Sequence, residues 1–273
     1  HYFDSSRRLR GDTPWSGLFS DAMAQRARLV GQLRFMARFE GKLALVTGAS
    51  RGIGRAVGKA LAREGAHVIL AARRSGSLEE LDDEITSEGG SATLVKLDLT
   101  AGDKIDALGP TIYERWGKLD ILVANAGILG PLSPLPHVSE DAWTSVMAVN
   151  LTANWRLIRT LDPLLRHAEA GRAVFVSSGA AAAHTAYWGP YAVSKAGLEA
   201  LVKTYAHEIA NTNVRANIVN PGPVRTEMRQ QAFPGEDPMT LPEPKVIADK
   251  MLDVVDAACT DNGRLFNFDS RKK

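Results

Sequence analysis

Short apolar runs alternate with amphipathic stretches along the chain from Leu43 onward. Seven runs are rich in apolar residues without polar alternation and predict buried strands, at 43–46, 67–71, 92–97, 119–123, 173–176, 215–219 and 264–268. Five stretches between them have helical periodicity, at 54–63, 77–88, 105–116, 142–165 and 190–209. Apolar strands separated by helices indicate a parallel sheet covered on both faces. We therefore predict one doubly wound α/β domain with right-handed crossovers, layered as helices, sheet and helices (α/β/α).

The first 35 residues differ from the remainder, because they contain six arginines and three aspartates and lack strand-like alternation. Met36, followed by Ala-Arg-Phe-Glu-Gly-Lys, has the appearance of a natural start just before the first strand. The extension fits an organellar presequence, a remnant of expression or upstream translation, or a short docking arm. We favour a remnant or a disordered arm, and divide the chain into an extension, 1–35, and a domain, 36–273. The proline-containing stretches 130–136 and 233–244 are predicted to be loops over a site.

The composition is that of an ordinary globular protein, with 273 residues, 45% hydrophobic and 23% charged. A formal net charge of +2 does not indicate nucleic-acid binding. Cys259 is the single cysteine, which excludes an internal disulfide framework and gives no metal cluster. No apolar run approaches the roughly 18–20 residues needed to span a bilayer. We expect a cytoplasmic protein without metal, nucleic-acid or membrane partners, with organellar targeting by residues 1–35 left open.

A glycine-rich turn follows the first predicted strand and precedes the first predicted helix. Its sequence, Thr-Gly-Ala-Ser-Arg-Gly-Ile-Gly at 47–54, contains Gly48, Ser50, Gly52, Ile53 and Gly54. Glycines allow a sharp turn and a close approach of the backbone to a ligand. The free N–H groups of a helix N-terminus favour an anion such as a pyrophosphate. This position predicts a dinucleotide site, although the spacing is not the usual Gly-x-Gly-x-x-Gly.

The residues after the second predicted strand indicate which dinucleotide binds. An acidic residue there would accept hydrogen bonds from the 2′-hydroxyl of an adenosine ribose. This chain instead has Arg73 and Arg74, and Arg51 lies in the glycine turn. Guanidinium groups can hold a 2′-phosphate by charge-assisted hydrogen bonds, or these arginines can be solvated loop residues. We predict NADP(H) in preference to NAD(H), which stays possible.

Tyr191 and Lys195 lie four residues apart in a predicted helix and therefore share one of its faces. A free phenol, with a pKa near 10, is a poor proton-transfer group at neutral pH. A cation held within about 4–6 Å favours the phenolate, so we expect the lysine to lower the tyrosine pKa. The pair is a candidate acid/base, although the same spacing occurs on many solvated helices.

Four motifs occur together along the alternating pattern. They are Thr47-x-x-x-Gly-x-Gly, Asn125-Ala-Gly127, Tyr191-x-x-x-Lys195 and Pro221-Gly222. In this order and spacing the chain resembles the short-chain dehydrogenase/reductase family, in its short single-domain branch, over about residues 43–268. The likeness is to bacterial members of unassigned substrate. The resemblance implies a Rossmann-like fold and hydride transfer between a nicotinamide and a small carbonyl or alcohol substrate.

The resemblance assigns catalytic roles to four residues. Tyr191 resembles the acid that protonates the carbonyl oxygen, or the base in the reverse direction, and Lys195 its partner on the nicotinamide ribose. Ser178, rather than the adjacent Ser177, is similar to the serine that orients the substrate oxygen. Asn150 resembles the helix asparagine that holds a proton-relay water, or it is an ordinary polar residue in an apolar helix.

Other cofactor contacts are also implied by the resemblance. Asp98, with Leu99, is similar to the acid that meets the adenine ring. Residues 125–127 (Asn125, Ala126 and Gly127) look like the turn that borders the cofactor, although Ala124 replaces the second asparagine often found before it. Residues 221–226 resemble the segment at the nicotinamide carboxamide, with contacts from Pro221, Gly222, Val224 and Thr226. Arg215, Asn217 and Asn220 are predicted to be structural.

The substrate is less well indicated. A lid is predicted at residues 228–239, and His184, Tyr187, Trp188 and Leu129 suggest a mostly apolar wall, with His184 and His137 expected as loop residues. The end of the chain lacks the family's Gly-Gly after the last strand, which makes the usual C-terminal packing doubtful. The helices 142–165 and 190–209 resemble the family's dimer interface, so we expect a homodimer or homotetramer. A low-turnover nucleotide-binding sensor or scaffold is the alternative function, because fold does not fix function.

Overall fold

The computed structural model describes residues 37–269, and its centre is one sheet of seven parallel strands. The strands are β1 (Leu43–Thr47), β2 (His67–Ala72), β3 (Ser91–Lys96), β4 (Ile121–Ala124), β5 (Arg172–Val176), β6 (Arg215–Asn220) and β7 (Leu265–Asn267). Their spatial order is β3-β2-β1-β4-β5-β6-β7, and every neighbouring pair is parallel. The predicted doubly wound sheet is therefore confirmed, with the order reversing between β1 and β4. Ligands of such sheets bind where the order reverses, at the carboxyl ends of the strands.

Helices cover both faces of the sheet. They are α1 (Gly52–Arg63), α2 (Gly76–Ser87), α3 (Gly102–Asp106), α4 (Leu108–Trp116), α5 (Glu140–Met147), α6 (Ala153–His167), α7 (Ala180–Ala183), α8 (Gly189–Glu208), α9 (Glu227–Ala232) and α10 (Pro244–Val255). Alternate residues of β1 enter opposite cores, since Ala44 and Val46 pack under α1, α2 and α10, whereas Leu43 and Leu45 pack under α3, α4, α6 and α8. The three-layer arrangement is therefore confirmed.

Two predicted helices are interrupted. The stretch 105–116 is divided at Ala107, which ends α3 and begins α4. The stretch 142–165 contains a π-helical segment, Ala148–Thr152, between α5 and α6. There the N–H of Ala153 donates to the carbonyl of Ala148, five residues earlier, instead of to the residue four earlier. Such π segments insert one residue into an α-helix and are frequent at functional sites. The prediction of one uninterrupted helix is therefore wrong at Asn150, a candidate site residue.

Three helices near the site are absent from the sequence prediction: α7, α9 and α10. The stretch 233–244, predicted to be a loop, contains a 3₁₀ turn at Pro238–Thr240, and its last residue begins α10. Proline at the first helical position costs no intrahelical hydrogen bond, so the prolines mark a helix start here. In the other predicted loop, the turn Leu135–His137 overlaps residues 130–136.

The extension 1–35 lies outside the described residues, and so does Met36, so the division into extension and domain stays a prediction. Within residues 37–269, no helix combines the length and apolar character needed to cross a membrane.

Candidate active site

A cleft of about 720 Å³ opens at the carboxyl ends of β1, β4, β5 and β6. It is lined by all but two of the residues that the sequence proposed for the site, namely Gly48, Ser50, Arg51, Gly52, Ile53, Arg73, Arg74, Asp98, Leu99, Asn125, Ala126, Gly127, Ser178, Tyr191, Lys195, Pro221, Gly222, Val224 and Thr226. The two exceptions are Gly54 and Asn150, which are buried beneath the residues that line the cleft. They can therefore only hold other site residues in place.

The glycine turn forms one end of the cleft. Gly48 and Gly52 have φ angles of 68° and 57°, in the left-handed region that favours glycine. A Cβ on Gly54 would lie 2.4 Å from the carbonyl oxygen of Gly48, so only glycine lets α1 begin this close to β1. Arg51, the N-cap of α1, makes no side-chain cap hydrogen bond. The first N–H groups of α1 therefore have no side-chain cap where a phosphate would bind.

The turn after β4 is held against β1 by Thr47. The buried Thr47 hydroxyl accepts the backbone N–H groups of Asn125 and Ala126, at 3.1 and 3.2 Å, and the Asn125 side chain donates to the Thr47 carbonyl at 3.0 Å. The alanine at 124 does not disturb the turn, because it pairs with Phe175 in the sheet. Thr47 also lines the cleft. The prediction omitted it from the site, although its place before the glycine turn is a usable signal.

The three arginines proposed for a 2′-phosphate have different surroundings. Arg73 and Arg74 are exposed at the end of β2 and line the cleft. Arg51 forms an ion pair with Glu227, the first residue of α9, across the cleft. The Arg51 guanidinium is thus paired with a carboxylate 176 positions along the chain, and its contact with a 2′-phosphate stays a prediction.

Asp98, the proposed adenine neighbour, lies at the same end of the cleft. Its Oδ1 accepts the backbone N–H of Thr100 at 2.9 Å and the Thr100 hydroxyl at 2.8 Å. These two hydrogen bonds lower the pKa of Asp98, with a smaller contribution from Arg73. The carboxylate is therefore fixed and ionised beside the arginines.

Tyr191 and Lys195 share one face of α8, as the spacing predicted. Both are buried, with 7% and 3% of their surface exposed, and the Lys195 Nζ lies 5.8 Å from the centre of the tyrosine ring. The Nζ donates to the Val176 carbonyl at 2.7 Å. Burial lowers the pKa of Lys195 to about 8, against the opposing effect of Glu199. The lysine is therefore fixed at the end of β5 and is mostly charged at neutral pH.

The tyrosine pKa moves in the direction opposite to the expected one. Burial raises the pKa of Tyr191, and a hydrogen bond from the Ser178 hydroxyl opposes this only in part. The expectation of a lowered phenol pKa is wrong because it considered the lysine charge and not the loss of hydration on burial. The neutral phenol is the stable form in the described chain.

The structure gives the two adjacent serines different partners. The Ser178 hydroxyl bonds to Tyr191 and lines the cleft, and it accepts the N–H of Ala180 at 3.2 Å. The Ser177 hydroxyl is buried and donates to Glu199 Oε1 at 2.7 Å. Both serines line the cleft, but Ser178 is the one bonded to Tyr191, and its catalytic role stays a prediction. Glu199 is a neighbour of this pair that the sequence did not indicate.

Asn150 lies at the centre of the π segment and is fully buried. Its Oδ1 accepts the N–H of Ile128 at 2.9 Å, and its Nδ2 donates to the Ile128 carbonyl at 2.9 Å and to Ser194 Oγ at 3.0 Å. Its own carbonyl accepts the side chain of Asn154 at 2.8 Å. Asn150 thus joins the chain after β4 to α8, which positions the lysine face; its relay role stays a prediction.

The segment after β6 forms the far wall. Gly222 has a φ of 70°, and its N–H donates to Asn220 Oδ1 at 3.1 Å. Asn220 also donates to Asn267 of β7 at 3.1 Å, so the last strand packs on this segment without a Gly-Gly sequence. The Thr226 hydroxyl caps α9 by accepting the N–H of Arg229 at 3.2 Å. Asn220, expected to be only structural, does line the cleft, whereas Asn217 bonds to the β6–β7 connection away from it.

The predicted apolar wall is only partly correct. Trp188 and Leu129 line the cleft, but His184 and Tyr187 do not. Both of the latter are exposed and have positive φ angles, of 50° and 72°, so the backbone between α7 and α8 turns them outward. His137 ends a 3₁₀ turn and is also outside the lining. Over residues 37–269, no cluster of three or more His, Cys, Asp or Glu side chains could hold a metal ion.

Comparison with known proteins gives consistent matches. The family model described as short chain dehydrogenase matches residues 42–237. The chain is 37% identical over 206 residues to the uncharacterized oxidoreductase YciK of Escherichia coli K12, which covers 74% of this chain and 81% of YciK. A short chain dehydrogenase of Shigella flexneri 2a, solved with NADP, is 35% identical, with a TM-score of 0.82 over 85% of this chain and 99% of that one. Another, from Escherichia coli CFT073 and solved with NADPH, is 35% identical, with a TM-score of 0.80 over 85% and 98%.

Proposed function

This chain belongs to the short-chain dehydrogenase family, and on that premise we propose that it is an NADP(H)-dependent oxidoreductase acting on a carbonyl or alcohol substrate. The observation that carries the proposal is the arrangement of Ser178, Tyr191 and Lys195 in the same cleft as the glycine turn of α1. One end of the cleft suits a pyrophosphate, and the other offers two hydroxyl groups and an ammonium. That combination suits a dinucleotide cofactor and a small oxygen-bearing substrate.

The residues present fit a dinucleotide. A Cβ would clash at Gly48 and Gly54, and the start of α1 has no side-chain cap, so backbone N–H groups are accessible to phosphate oxygens. When bound, the nicotinamide supplies the hydride. Asn125 to Gly127 and Pro221 to Thr226 would border the cofactor from opposite walls of the cleft.

Tyr191 acts as the general acid in carbonyl reduction. Burial raises the pKa of Tyr191, so the phenol carries its proton at neutral pH, and donation to the carbonyl oxygen as the hydride arrives depends on stabilisation of the phenolate that forms. The single proton of the Ser178 hydroxyl, which bonds to Tyr191 in the absence of substrate, would turn to the same oxygen and give it a second donor. Lys195, with a pKa of about 8, adds a positive charge that stabilises the phenolate left after proton transfer. In alcohol oxidation Tyr191 takes the opposite role and accepts the hydroxyl proton as a base.

NADP(H) is the preferred cofactor in this proposal. No acidic residue lies between His67 and Arg74 to accept a 2′-hydroxyl, and Arg73 and Arg74 line the cleft at that end. Two of the similar structures were solved with NADP or NADPH, which supports the preference. NAD(H) stays possible, and the ratio of kcat/KM values for the two reduced cofactors decides between them.

Replacing Tyr191 with phenylalanine tests the mechanism. Since positioned general acids contribute about 10²–10⁴-fold, we expect Tyr191→Phe to reduce kcat by at least about 100-fold while NADPH still binds. Turnover is measured as NADPH oxidation across a panel of ketones, aldehydes, quinones and 3-oxoacyl thioesters, and binding by calorimetry. A Tyr191→Phe protein with wild-type turnover refutes the mechanism. NADPH binding without turnover of any carbonyl favours the sensor function.

We also propose a homodimer or homotetramer. Trp143 of α5 and Trp155 of α6 expose 38% and 43% of their surface, and the guanidinium groups of Arg156 and Arg159 lie over Trp155. Exposed tryptophans with arginine are typical of protein interfaces. Light scattering gives the mass in solution, and a monomer would refute the proposal. The cytoplasmic location stays a prediction, which cell fractionation tests.

A further inference from the structure

A row of three aromatic side chains leads from the proposed acid to the lid, residues 228–239. The rings of Tyr191 and Trp188 are 5.9 Å apart between centroids and inclined at 67°. The rings of Trp188 and Phe233 are 5.7 Å apart and inclined at 35°. All three residues line the cleft, and Phe233 remains 39% exposed. The cleft therefore has an aromatic surface that begins at the atom proposed to deliver the proton.

The positive charges of the lid and its flanks already have carboxylate partners. Arg229 donates to both oxygens of Glu236, at 2.5 and 2.7 Å, while its guanidinium carbon lies 3.7 Å from the centre of the Phe233 ring. Arg225 donates to Glu243 at 3.2 Å and to two backbone carbonyls. A two-point arginine–carboxylate pair is among the stronger polar contacts, so an anionic substrate would have to displace it. This end of the cleft does not favour a negatively charged substrate.

The side chains beside the aromatic row are small or apolar. α7 contributes Ala180 and Ala183 to the lining, and α9 contributes Met228 and Ala232. Small side chains next to aromatic rings leave room for a flat group, and offset or edge-to-face ring contacts add to the burial of area. The room beside the rings favours a flat group, and the paired arginines disfavour a negative charge. Both features therefore favour an uncharged aromatic substrate.

We propose that the substrate is an uncharged aryl ketone or aldehyde, whose ring contacts Trp188 and Phe233 while its carbonyl meets Tyr191 and Ser178. The inference rests on the proposed function and adds to it the class of substrate. In the reaction the C=O carbon gains a hydride from NADPH, which becomes NADP⁺, and the oxygen gains the proton of Tyr191, giving the aryl alcohol. Carboxylate-bearing ketones are poor substrates.

The test compares acetophenone with cyclohexyl methyl ketone, which has the same number of non-hydrogen atoms, and with 4-acetylbenzoate, which adds a carboxylate to acetophenone. The full chain is assayed by NADPH oxidation. Because aromatic contacts contribute beyond buried area, we expect kcat/KM for acetophenone to exceed that for the cyclohexyl ketone by about 2- to 13-fold. We expect 4-acetylbenzoate to be the poorest of the three. The proposal is overturned if kcat/KM for cyclohexyl methyl ketone equals or exceeds that for acetophenone. It is also overturned if kcat/KM is highest for 4-acetylbenzoate.

Two variants test whether Phe233 and Trp188 cause the preference for acetophenone. Phe233→Leu and Trp188→Leu should bring the acetophenone to cyclohexyl ratio close to one. Tyr113→Leu, at an aromatic residue 57% exposed and outside the cleft, is the matched control and should keep the wild-type ratio. Wild-type ratios in both cleft variants overturn the assignment of these two rings.

A binding measurement separates the substrate class from the proposed function. Calorimetry on the NADP⁺-loaded protein compares 1-phenylethanol with 1-cyclohexylethanol. If no carbonyl is reduced but the phenyl alcohol binds more tightly, and Phe233→Leu removes the difference, the oxidoreductase proposal fails and the aryl site stands. Equal binding of the two alcohols refutes the aryl site, whatever the turnover.

Discussion

The carboxylate of Glu199 is predicted to keep Lys195 charged at physiological pH. The two residues are one turn apart on α8, and Glu199 is the charged group that raises the lysine pKa against the effect of burial. Glu199 Oε1 also accepts the Ser177 hydroxyl at 2.7 Å, beside the proposed catalytic Ser178, and Lys203 Nζ lies 4.0 Å from Oε2. Glu199→Gln preserves the size and the hydrogen-bond acceptor but removes the charge, so it isolates the electrostatic contribution.

The size of the effect follows from the lysine pKa of about 8. The Glu199 charge raises the lysine pKa, and neighbouring opposite charges typically shift a pKa by about one or more, so we expect the lysine pKa in Glu199→Gln to be lower by about one. The charged fraction at pH 7.5 would fall from about three quarters to about one quarter, and at pH 6 by only about a tenth. Activity that needs the cation would therefore fall about threefold at pH 7.5 and remain almost unchanged at pH 6.

The assay is kcat/KM for NADPH-dependent reduction between pH 5.5 and 9 at constant ionic strength, which reports groups of the free enzyme. In the plot of kcat/KM against pH, the fall on the alkaline side, the alkaline limb, should begin at lower pH for Glu199→Gln than for the wild type. Glu208→Gln changes an exposed glutamate of the same helix and is the control that should leave the limb in place. An unchanged limb in Glu199→Gln, or an equal loss at every pH, would refute the electrostatic role and leave only a structural one.

Three further predictions concern cofactor binding and fold. Gly54→Ala places a Cβ 2.4 Å from the Gly48 carbonyl and should lower the free energy of unfolding by about 1–3 kcal/mol, measured by urea denaturation, and weaken NADPH binding, measured by calorimetry. Normal stability and affinity would contradict the close contact. Arg73→Ala combined with Arg74→Ala should raise the Kd for NADPH about 10- to 100-fold and leave that for NADH nearly unchanged, since hydrogen bonds to charged groups contribute about 1.5–3 kcal/mol. An equal loss for both cofactors would argue against a 2′-phosphate contact. Arg51→Ala should weaken NADPH binding less, because Glu227 already holds that guanidinium, and a loss equal to that of the double variant would contradict this.

The fold could be predicted from the sequence because the buried strands are visible as short runs of apolar residues. The strands β1, β2, β4 and β5 are apolar at all but one residue at most, over four to six residues, and a doubly wound sheet is the arrangement that covers both faces of such strands. The helix α10 is absent from the prediction because Pro242 precedes it and Pro244 occupies its first position, where a proline does not break a helix. The π segment around Asn150 was missed because apolar periodicity does not distinguish it from an α-helical turn.

Part of the cleft lining was predictable from the motifs, but its electrostatics were not. The motifs placed Tyr191, Lys195 and Ser178 correctly in the cleft because each follows a strand end or shares a helix face. The ion pair of Arg51 with Glu227 joins distant parts of the chain, and no local pattern indicates it. The raised pKa of Tyr191 depends on how completely the ring is buried, which spacing alone does not reveal.

The π segment makes the site depend on the number of residues in its helix as well as on their identity. Removing Leu151 would let an ordinary α-helix run from α5 into α6. The same deletion would rotate the flanking residues by about 100° relative to one another and withdraw the Asn150 amide from Ile128. The N–H and carbonyl of Ile128 would then lose their side-chain partner, which should destabilise the chain after β4. Engineering for thermostability should therefore leave the length of residues 148–152 unaltered.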